Sequence, residues 1–232
     1  MLAAQIAEVE LFAGLAPAAL DEVAARARVQ SLPRGTLLFA QGTAAERCHV
    51  LLAGCVRIAQ SDEDGRQLIV RFVGRGEMFG TVALFTDRHY PADAMTVTDS
   101  VEVSWTEARL LEFLHRYPQI GLNLVRIVGA RLREAQERLG ELATQRVEQR
   151  IAHALLRLAN CSGSAAATAG TIDYPLTRED IAQMCGATLY TASRVLKAWE
   201  RAGYVASNRK GVRIIEVPEI RRIAAASAAR EA

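Results

Sequence analysis

The stretch Thr177-Arg178-Glu179-Asp180-Ile181-Ala182-Gln183-Met184-Cys185-Gly186-Ala187-Thr188 decides the fold of the C-terminal part of the chain. Thr177 and Asp180 have the spacing of a helix capping box, although Glu or Gln is usual at the fourth position. Gly186 allows a sharp turn after the first helix, and Thr188 is a typical N-cap for a second one. Two short helices joined by a turn that contains glycine predict a helix-turn-helix.

The second helix, expected over 188–202, has one apolar and one polar face. The residues whose helical spacing should direct them inward are Ala192, Val195, Leu196 and Trp199. The other face offers Tyr190, Ser193 and Arg194 as candidate base-reading residues, because hydrogen-bonding side chains read base edges in the major groove. Arg194 suits a bidentate contact with guanine, and an ion pair within the domain is its alternative role. The candidates for contacts to DNA phosphates are Thr188, Lys197, Arg178 and Arg209.

The charge of the chain is unevenly distributed. The whole sequence has 28 Lys+Arg and 26 Asp+Glu, a formal charge of +2. Residues 1–144 have 15 basic and 18 acidic residues, hence −3, whereas residues 145–232 have 13 and 8, hence +5. The positive half contains the helix-turn-helix and a predicted small hairpin, or wing, over 204–215. Positive charge is needed at such elements if they neutralise DNA phosphates. Ordinary solvated surface charge is the alternative explanation.

Short strands separated by turns with glycine fill residues 32–105, which predicts an antiparallel barrel or jelly roll. A helix is expected before it over 18–29, and a further strand over 97–103. After the barrel, helices are expected over 118–144 and 145–160, followed by a loop over 161–170.

The helix over 118–144 has apolar residues that step by three and four, as in a coiled-coil seam. They are Val125, Val128, Leu132, Ala135, Leu139 and Leu142. We therefore expect this helix to associate with its own copy in a homodimer. Packing of the helix on its own barrel is the alternative, and one helix can do both.

These motifs, in this order, resemble the Crp/Fnr family of bacterial transcription regulators, and the resemblance covers nearly the whole chain. Residues 35–42 are similar to the family's early barrel strand and turn, and residues 76–80 to its phosphate-cassette region. Residues 177–182 and 191–196 are similar to its helix-turn-helix.

The resemblance implies an α+β protein with three parts. These are an N-terminal antiparallel jelly-roll sensor domain of the cyclic-nucleotide-binding type (1–117), a long dimerisation helix (118–144) and a C-terminal winged helix-turn-helix domain (145–232). It also implies a homodimer that binds double-stranded DNA with a two-fold symmetric operator and contacts RNA polymerase. In the family the arginine matching Arg194 contacts guanine, and the serine matching Ser193 reads a neighbouring base in the Fnr-like branch. Tyr190 stands where the family usually has Glu, which leaves the half-site sequence and the target genes open.

The resemblance places a candidate effector pocket at Gly80, Thr81, Pro91 and Ala92. Family members that bind cyclic AMP have Glu at the position of Thr81 and an Arg-Ser pair at the positions of Pro91 and Ala92. Without that arginine the cyclic phosphate loses its counter-charge and its fork of hydrogen-bond donors. Cyclic AMP is therefore not expected as the effector, and the chain is placed in the Fnr-like branch.

Other signals remain open at the level of the sequence. The oxygen-sensing members hold an iron–sulfur cluster near the N-terminus, and no cysteine precedes Cys48 here, which argues against that cluster. His49 and His89 are candidate haem ligands, with ordinary surface or core histidines as the alternative. Cys185 lies before the reading helix and is a candidate redox thiol, with a plain buried thiol as the alternative. A regulator with no ligand is also compatible with the sequence.

The sequence argues against several other classes of protein. Its four histidines are isolated, and it has no phosphate-binding glycine loop and no nucleophile signature, so neither an enzyme nor a metal site is expected. No apolar run reaches membrane length, the start lacks a basic signal region, and the cysteines show no disulfide pattern, so we expect a cytoplasmic protein without membrane contact. The rival function is a cyclic-nucleotide-binding-like regulatory module acting through protein contacts, which leaves the basic helix-turn-helix unexplained.

Overall fold

The structure is a computed structural model that describes residues 1–161, 172, 174–208 and 211–226. Its helices are α1 Leu2–Ala7, α2 Pro17–Ala25, α3 Thr81–Leu84, α4 Glu107–Arg116, α5 Pro118–Thr144, α6 Val147–Cys161, α7 Arg178–Met184, α8 Leu189–Arg201 and α9 Val217–Ala225. Its strands are β1 Arg28–Leu32, β2 Leu37–Phe39, β3 Arg47–Ala53, β4 Val56–Ser61, β5 Gln67–Val73, β6 Met78–Phe79, β7 Asp93–Thr96, β8 Ser100–Thr106, β9 Val205–Asn208 and β10 Gly211–Ile214. Within these described parts, no helix is both long and apolar enough to cross a membrane.

The first eight strands form two four-stranded sheets, in the orders β1-β8-β3-β6 and β2-β7-β4-β5. β8 pairs antiparallel with β1 on one side and with β3 on the other. Trp105 on β8 is fully buried; its indole nitrogen donates to the carbonyl oxygen of Val23 at 2.9 Å, and its ring meets Phe12 edge-on. The predicted jelly roll is thus confirmed, and its core is continued by the helices that precede it.

Two boundaries of the predicted elements are wrong. The helix expected over 18–29 ends at Ala25, because Val29 lies in β1 and pairs with Val103; cross-strand pairing overrides the helical spacing there. The strand expected over 97–103 begins only at Ser100. The carboxylate of Asp99 accepts a hydrogen bond from the backbone N–H of Arg34 at 2.9 Å, and this local bond holds the bend before the strand.

The chain divides into two compact units by its internal contacts. One comprises residues 1–60 and 73–135, and the other comprises residues 61–72 and 136–232. In the first unit, α4 and the N-terminal part of α5 bury Leu110, Phe113 and Ile120 in the core around Trp105.

The second unit contains the predicted helix-turn-helix, α7 and α8, between α6 and the two-stranded wing of β9 and β10. The hairpin over 61–72 also belongs to it, since the Phe72 ring stacks on Tyr174 with 5.0 Å between ring centroids. The turn of this hairpin forms as expected, with Gly65 in the left-handed region. All but the first residue of the loop expected over 161–170 lies outside the described residues.

Candidate nucleic-acid interface

A capping box fixes the start of α7. The hydroxyl of Thr177 accepts a hydrogen bond from the backbone N–H of Asp180 at 3.0 Å, and the carboxylate of Asp180 accepts one from the backbone N–H of Thr177 at 2.8 Å. Two backbone donors that a helix start would leave unsatisfied are therefore bonded reciprocally. The aspartate performs the role that a longer acidic side chain usually has.

The turn between α7 and α8 depends on glycine. Gly186 has a φ of +57°, and a Cβ atom placed on it would lie 3.3 Å from a methyl group of Leu142. The hydroxyl of Thr188 then accepts a hydrogen bond from the backbone N–H of Thr191 at 3.2 Å and caps α8. These two residues fix where α8 begins and which of its side chains face outward.

The two predicted faces of α8 are confirmed by burial. Ala192, Val195, Leu196 and Trp199 are all buried. Tyr190 is 78% exposed, Arg194 is exposed and Ser193 is half-buried. Their spacing of three and four residues puts them on one side of the helix. In the described part of the chain Arg194 has neither an ion pair nor a hydrogen bond, so the alternative of an internal salt bridge is not observed.

The candidate phosphate contacts differ in their surroundings. Lys197 is exposed, and the hydroxyl of Thr188 is engaged in the helix cap. The Arg178 guanidinium lies 2.9 and 3.2 Å from the two carboxylate oxygens of Glu200, which ties α7 to α8 and neutralises its charge in this state. Arg209 lies outside the described residues.

Leu189 is a surface residue that the sequence did not single out. It opens α8 beside Tyr190 and is 51% exposed. Its spacing to Ala192 and Leu196 is that of the buried stripe, so the pattern alone cannot separate it from the core. It adds an apolar contact surface to the end of α8 that carries the candidate base-reading residues.

The apolar stripe of α5 is exposed in the single chain. The six residues of the predicted seam are all exposed, and the five large ones range from 39% for Val128 to 71% for Val125. Another face of the same helix buries Ile120, Asn123 and Ile127 against the first unit. The side-chain amide of Asn123 donates to the carbonyl oxygens of Leu11 and Ala13 at 3.1 and 2.8 Å. The helix therefore packs on its own barrel, and among the described residues a second, apolar face of it is exposed.

The four residues of the candidate effector pocket supply no charged group. Gly80 has a φ of +71°, and a Cβ atom there would lie 3.1 Å from the His49 ring, so the position requires glycine. Thr81 is buried, and its hydroxyl donates to the carbonyl oxygen of Phe79 at 3.4 Å. Ala92 is buried and Pro91 is exposed.

The candidate haem ligands lie in different environments. His49 is buried, with its Nδ1 3.1 Å from a carboxylate oxygen of the buried Glu102. His89 is exposed, and its Nδ1 lies 2.8 Å from the carbonyl oxygen of Asp87. No group of three or more His, Cys, Asp and Glu side chains is placed to hold a metal ion in the regions that the structure describes.

Cys185 lies in an environment that stabilises the neutral thiol. Burial raises its pKa to about 12, and this effect outweighs the lowering by the positive charges of Arg157 and Arg150. A reactive thiol needs a lowered pKa and access to solvent. The redox role considered for Cys185 from its position in the sequence is therefore not supported, because the turn buries the side chain.

Comparison with known proteins matches each half of the chain to a known domain family. Residues 29–117 match the cyclic nucleotide-binding domain, and residues 149–223 match the Crp-like helix-turn-helix domain. The CRP-like cAMP-activated global transcriptional regulator of Mycobacterium tuberculosis is 29% identical over 217 residues, which cover 94% of this chain and 97% of that protein. The cyclic AMP receptor protein of Thermus thermophilus is 29% identical over 209 residues, covering 90% of this chain and 92% of that protein.

Solved structures show the same fold. FixK2 from Bradyrhizobium japonicum superposes with a TM-score of 0.75 at 24% identity, covering 87% of this chain and 99% of that one. TTHB099, a CRP-family transcriptional regulator from Thermus thermophilus, superposes with a TM-score of 0.69 at 25% identity, covering 85% and 97%. The matched family is one of regulators, so the expectation that the chain is not an enzyme is confirmed. The chain therefore belongs to the Crp/Fnr family of DNA-binding transcription regulators.

Proposed function

We propose that the chain works in the cytoplasm as a homodimer that binds a two-fold symmetric operator with α8 in the major groove and contacts RNA polymerase from there. The observation that carries this proposal is the division of α8. Its inner face is buried, whereas Tyr190, Ser193 and Arg194 are presented together on the outside. The functional parts are a sensor over 1–117, a dimerisation helix over 118–144 and a DNA-binding domain over 145–232.

In this arrangement the outer face of α8 has two kinds of task. Arg194 donates two hydrogen bonds to O6 and N7 of a guanine, a contact that contributes about 1–3 kcal/mol of discrimination. Ser193 and Tyr190 contact neighbouring bases, and the Tyr190 ring also suits a thymine methyl group. The phosphate contacts come from Thr188, Lys197, Arg178 and Arg209 and orient the domain without specifying sequence. When DNA is bound, a phosphate oxygen accepts a hydrogen bond from the Arg178 guanidinium, either in place of the Glu200 carboxylate or together with it.

The dimer forms through the exposed stripe of α5. Apolar residues repeated every three or four positions over a helix of 27 residues favour a two-stranded coiled coil. Such a dimer is isologous, so it presents two copies of α8 related by a two-fold axis. A two-fold symmetric operator is the matching DNA target.

The signal is proposed to act on the jelly roll and to change the separation of the two recognition helices. The relative from Mycobacterium tuberculosis is described as cAMP-activated, and the one from Thermus thermophilus is described as a cyclic AMP receptor protein. In this chain, Thr81, Pro91 and Ala92 offer no cation for a cyclic phosphate, so we place it in the Fnr-like branch with an effector other than cyclic AMP. An absorption spectrum of the purified protein tests haem directly, because a Soret band identifies it.

The test of the proposal is selection of binding sites from random duplex DNA by the purified full-length protein. We expect an enriched sequence with two inverted half-sites, whose centres lie about one helical turn, 34–36 Å, apart. Affinity for that site should fall steeply with salt concentration, because bound cations are released from the phosphates. No enrichment, or enrichment of a single asymmetric site by a monomer, would contradict the proposal.

A further inference from the structure

We infer that Glu200 competes with DNA phosphates for Arg178 and thereby limits the affinity of the chain for DNA of any sequence. The inference rests on the proposed phosphate contact of Arg178 and decides how Glu200 takes part in it: the carboxylate is displaced when a phosphate binds. Both residues belong to the second compact unit, where Arg178 is the first residue of α7 and Glu200 lies in the last turn of α8.

The ion pair uses a single nitrogen of the guanidinium. Nη2 of Arg178 donates to both carboxylate oxygens of Glu200, at 2.9 and 3.2 Å. An arginine has two edges that hold a phosphate by two parallel hydrogen bonds, one formed by Nε and Nη2 and the other by Nη1 and Nη2. Because Nη2 belongs to both edges, a phosphate that binds either edge competes with the carboxylate for this nitrogen.

The ion pair is open to replacement from solution. The side chains of Arg178 and Glu200 are 29% and 28% exposed, so a phosphate reaches the guanidinium without opening the core. Partly exposed ion pairs contribute little to stability, because water and salt compete with them. The high density of phosphates along a duplex is a stronger competitor than either of these. Displacement of the carboxylate therefore requires no unfolding of α7 or α8.

Glu200 lies among cations on the recognition helix. It is the only acidic residue of α8, whose exposed cations are Arg194, Lys197 and Arg201. The carboxylate neutralises Arg178 before DNA binds and is repelled by nearby phosphates afterwards. Phosphates are the same at every sequence, so both effects weaken binding to operator and non-operator DNA alike. The consequence is lower occupancy of the large excess of non-operator sites in a genome.

The test measures binding of the full-length protein to a fluorescein-labelled duplex of scrambled sequence, by anisotropy over a series of KCl concentrations. Glu200→Gln removes the charge and keeps an oxygen that accepts a hydrogen bond from Arg178. We expect affinity at low salt to rise at least about threefold and the slope of log K against log salt concentration to become steeper by about one, because Arg178 then neutralises one more phosphate. A merely structural tie between α7 and α8 would lower Tm and leave this slope unchanged.

Two variants provide the controls. Glu179→Gln removes the same charge from an exposed residue next to Arg178 in the sequence, but successive residues of a helix do not face each other. It should leave the slope unchanged and the affinity within about twofold. In the background of Arg178→Ala, Glu200→Gln should have no larger effect than Glu179→Gln, because the guanidinium for which the two anions compete is gone.

Glu200→Ala, which leaves no acceptor beside Arg178, should change affinity and slope in the same direction as Glu200→Gln. An unchanged or lower affinity in both Glu200 variants, an equal gain in Glu179→Gln, or a gain that persists without Arg178 would overturn the inference while DNA binding by the original protein stands. Absence of any binding to the duplex by the original protein at low salt would instead refute the proposed function, and the inference with it.

Discussion

Leu132→Ala should separate the two roles of α5. Leu132 lies in the middle of the exposed stripe and is 59% exposed in the single chain, so about that fraction of its side chain remains for a partner to cover. The substitution removes three carbon groups, each contributing about 0.8 kcal/mol when buried. The expected loss is thus about 1.4 kcal/mol per subunit and about 2.8 kcal/mol per symmetric dimer, which weakens dimerisation about a hundredfold.

Sedimentation equilibrium measures this effect directly as the dimer dissociation constant. Leu111→Ala provides the matched control, because Leu111 is also an exposed leucine but lies on α4, outside the stripe. Thermal unfolding of the first unit should change little in either variant, since neither side chain belongs to its buried core. The reasoning is refuted if Leu132→Ala leaves the dissociation constant within about threefold of the original, or if Leu111→Ala has an equal effect.

Three further predictions concern single residues. Thr177→Ala removes the side-chain cap of α7 and should cost about 1 kcal/mol of stability, seen as a fall of about 2–4 °C in Tm; an unchanged Tm would contradict the capping role. Cys185 should resist iodoacetamide at pH 7.5 in the folded protein and react once the protein is unfolded in guanidinium; rapid labelling of the native protein would contradict its burial. Because the pKa of Cys185 is raised in the folded state, the free energy of unfolding should decrease as the pH rises from about 9 towards 12. Gly80→Ala forces a side chain into a left-handed conformation against His49 and should lower the free energy of unfolding in urea by more than about 1 kcal/mol. An unchanged free energy of unfolding would contradict the requirement for glycine at this position.

The sequence predicts the helical elements of the DNA-binding half closely, because their signals are local. The capping box at Thr177, the glycine turn and the apolar stripe of α8 each depend on residues a few positions apart. The helix over 118–144 was also predicted with the bounds that the structure shows, since proline opens it and its periodicity is long.

The features that the sequence could not predict depend on distant partners. The helix ends before the helical pattern does, because Val29 pairs with Val103 in a sheet. No residue close to Val29 in the sequence indicates this pairing. The burial of Cys185 and the contact between Arg178 and Glu200 likewise come from packing between helices. The contact between His49 on β3 and Glu102 on β8 also joins residues that are far apart in the sequence, so only the folded chain brings them together.

The central claim is that α8 recognises a base sequence through Arg194. The most direct measurement replaces the contacted guanine of the selected operator with 7-deazaguanine, which lacks the N7 acceptor, and compares affinities for the original protein and for Arg194→Ala at low salt. We expect affinity to fall about tenfold for the original protein and hardly at all for the variant, because the variant lacks the arginine that contacts N7. Equal losses for both proteins, or no guanine whose replacement weakens binding, would contradict the claim.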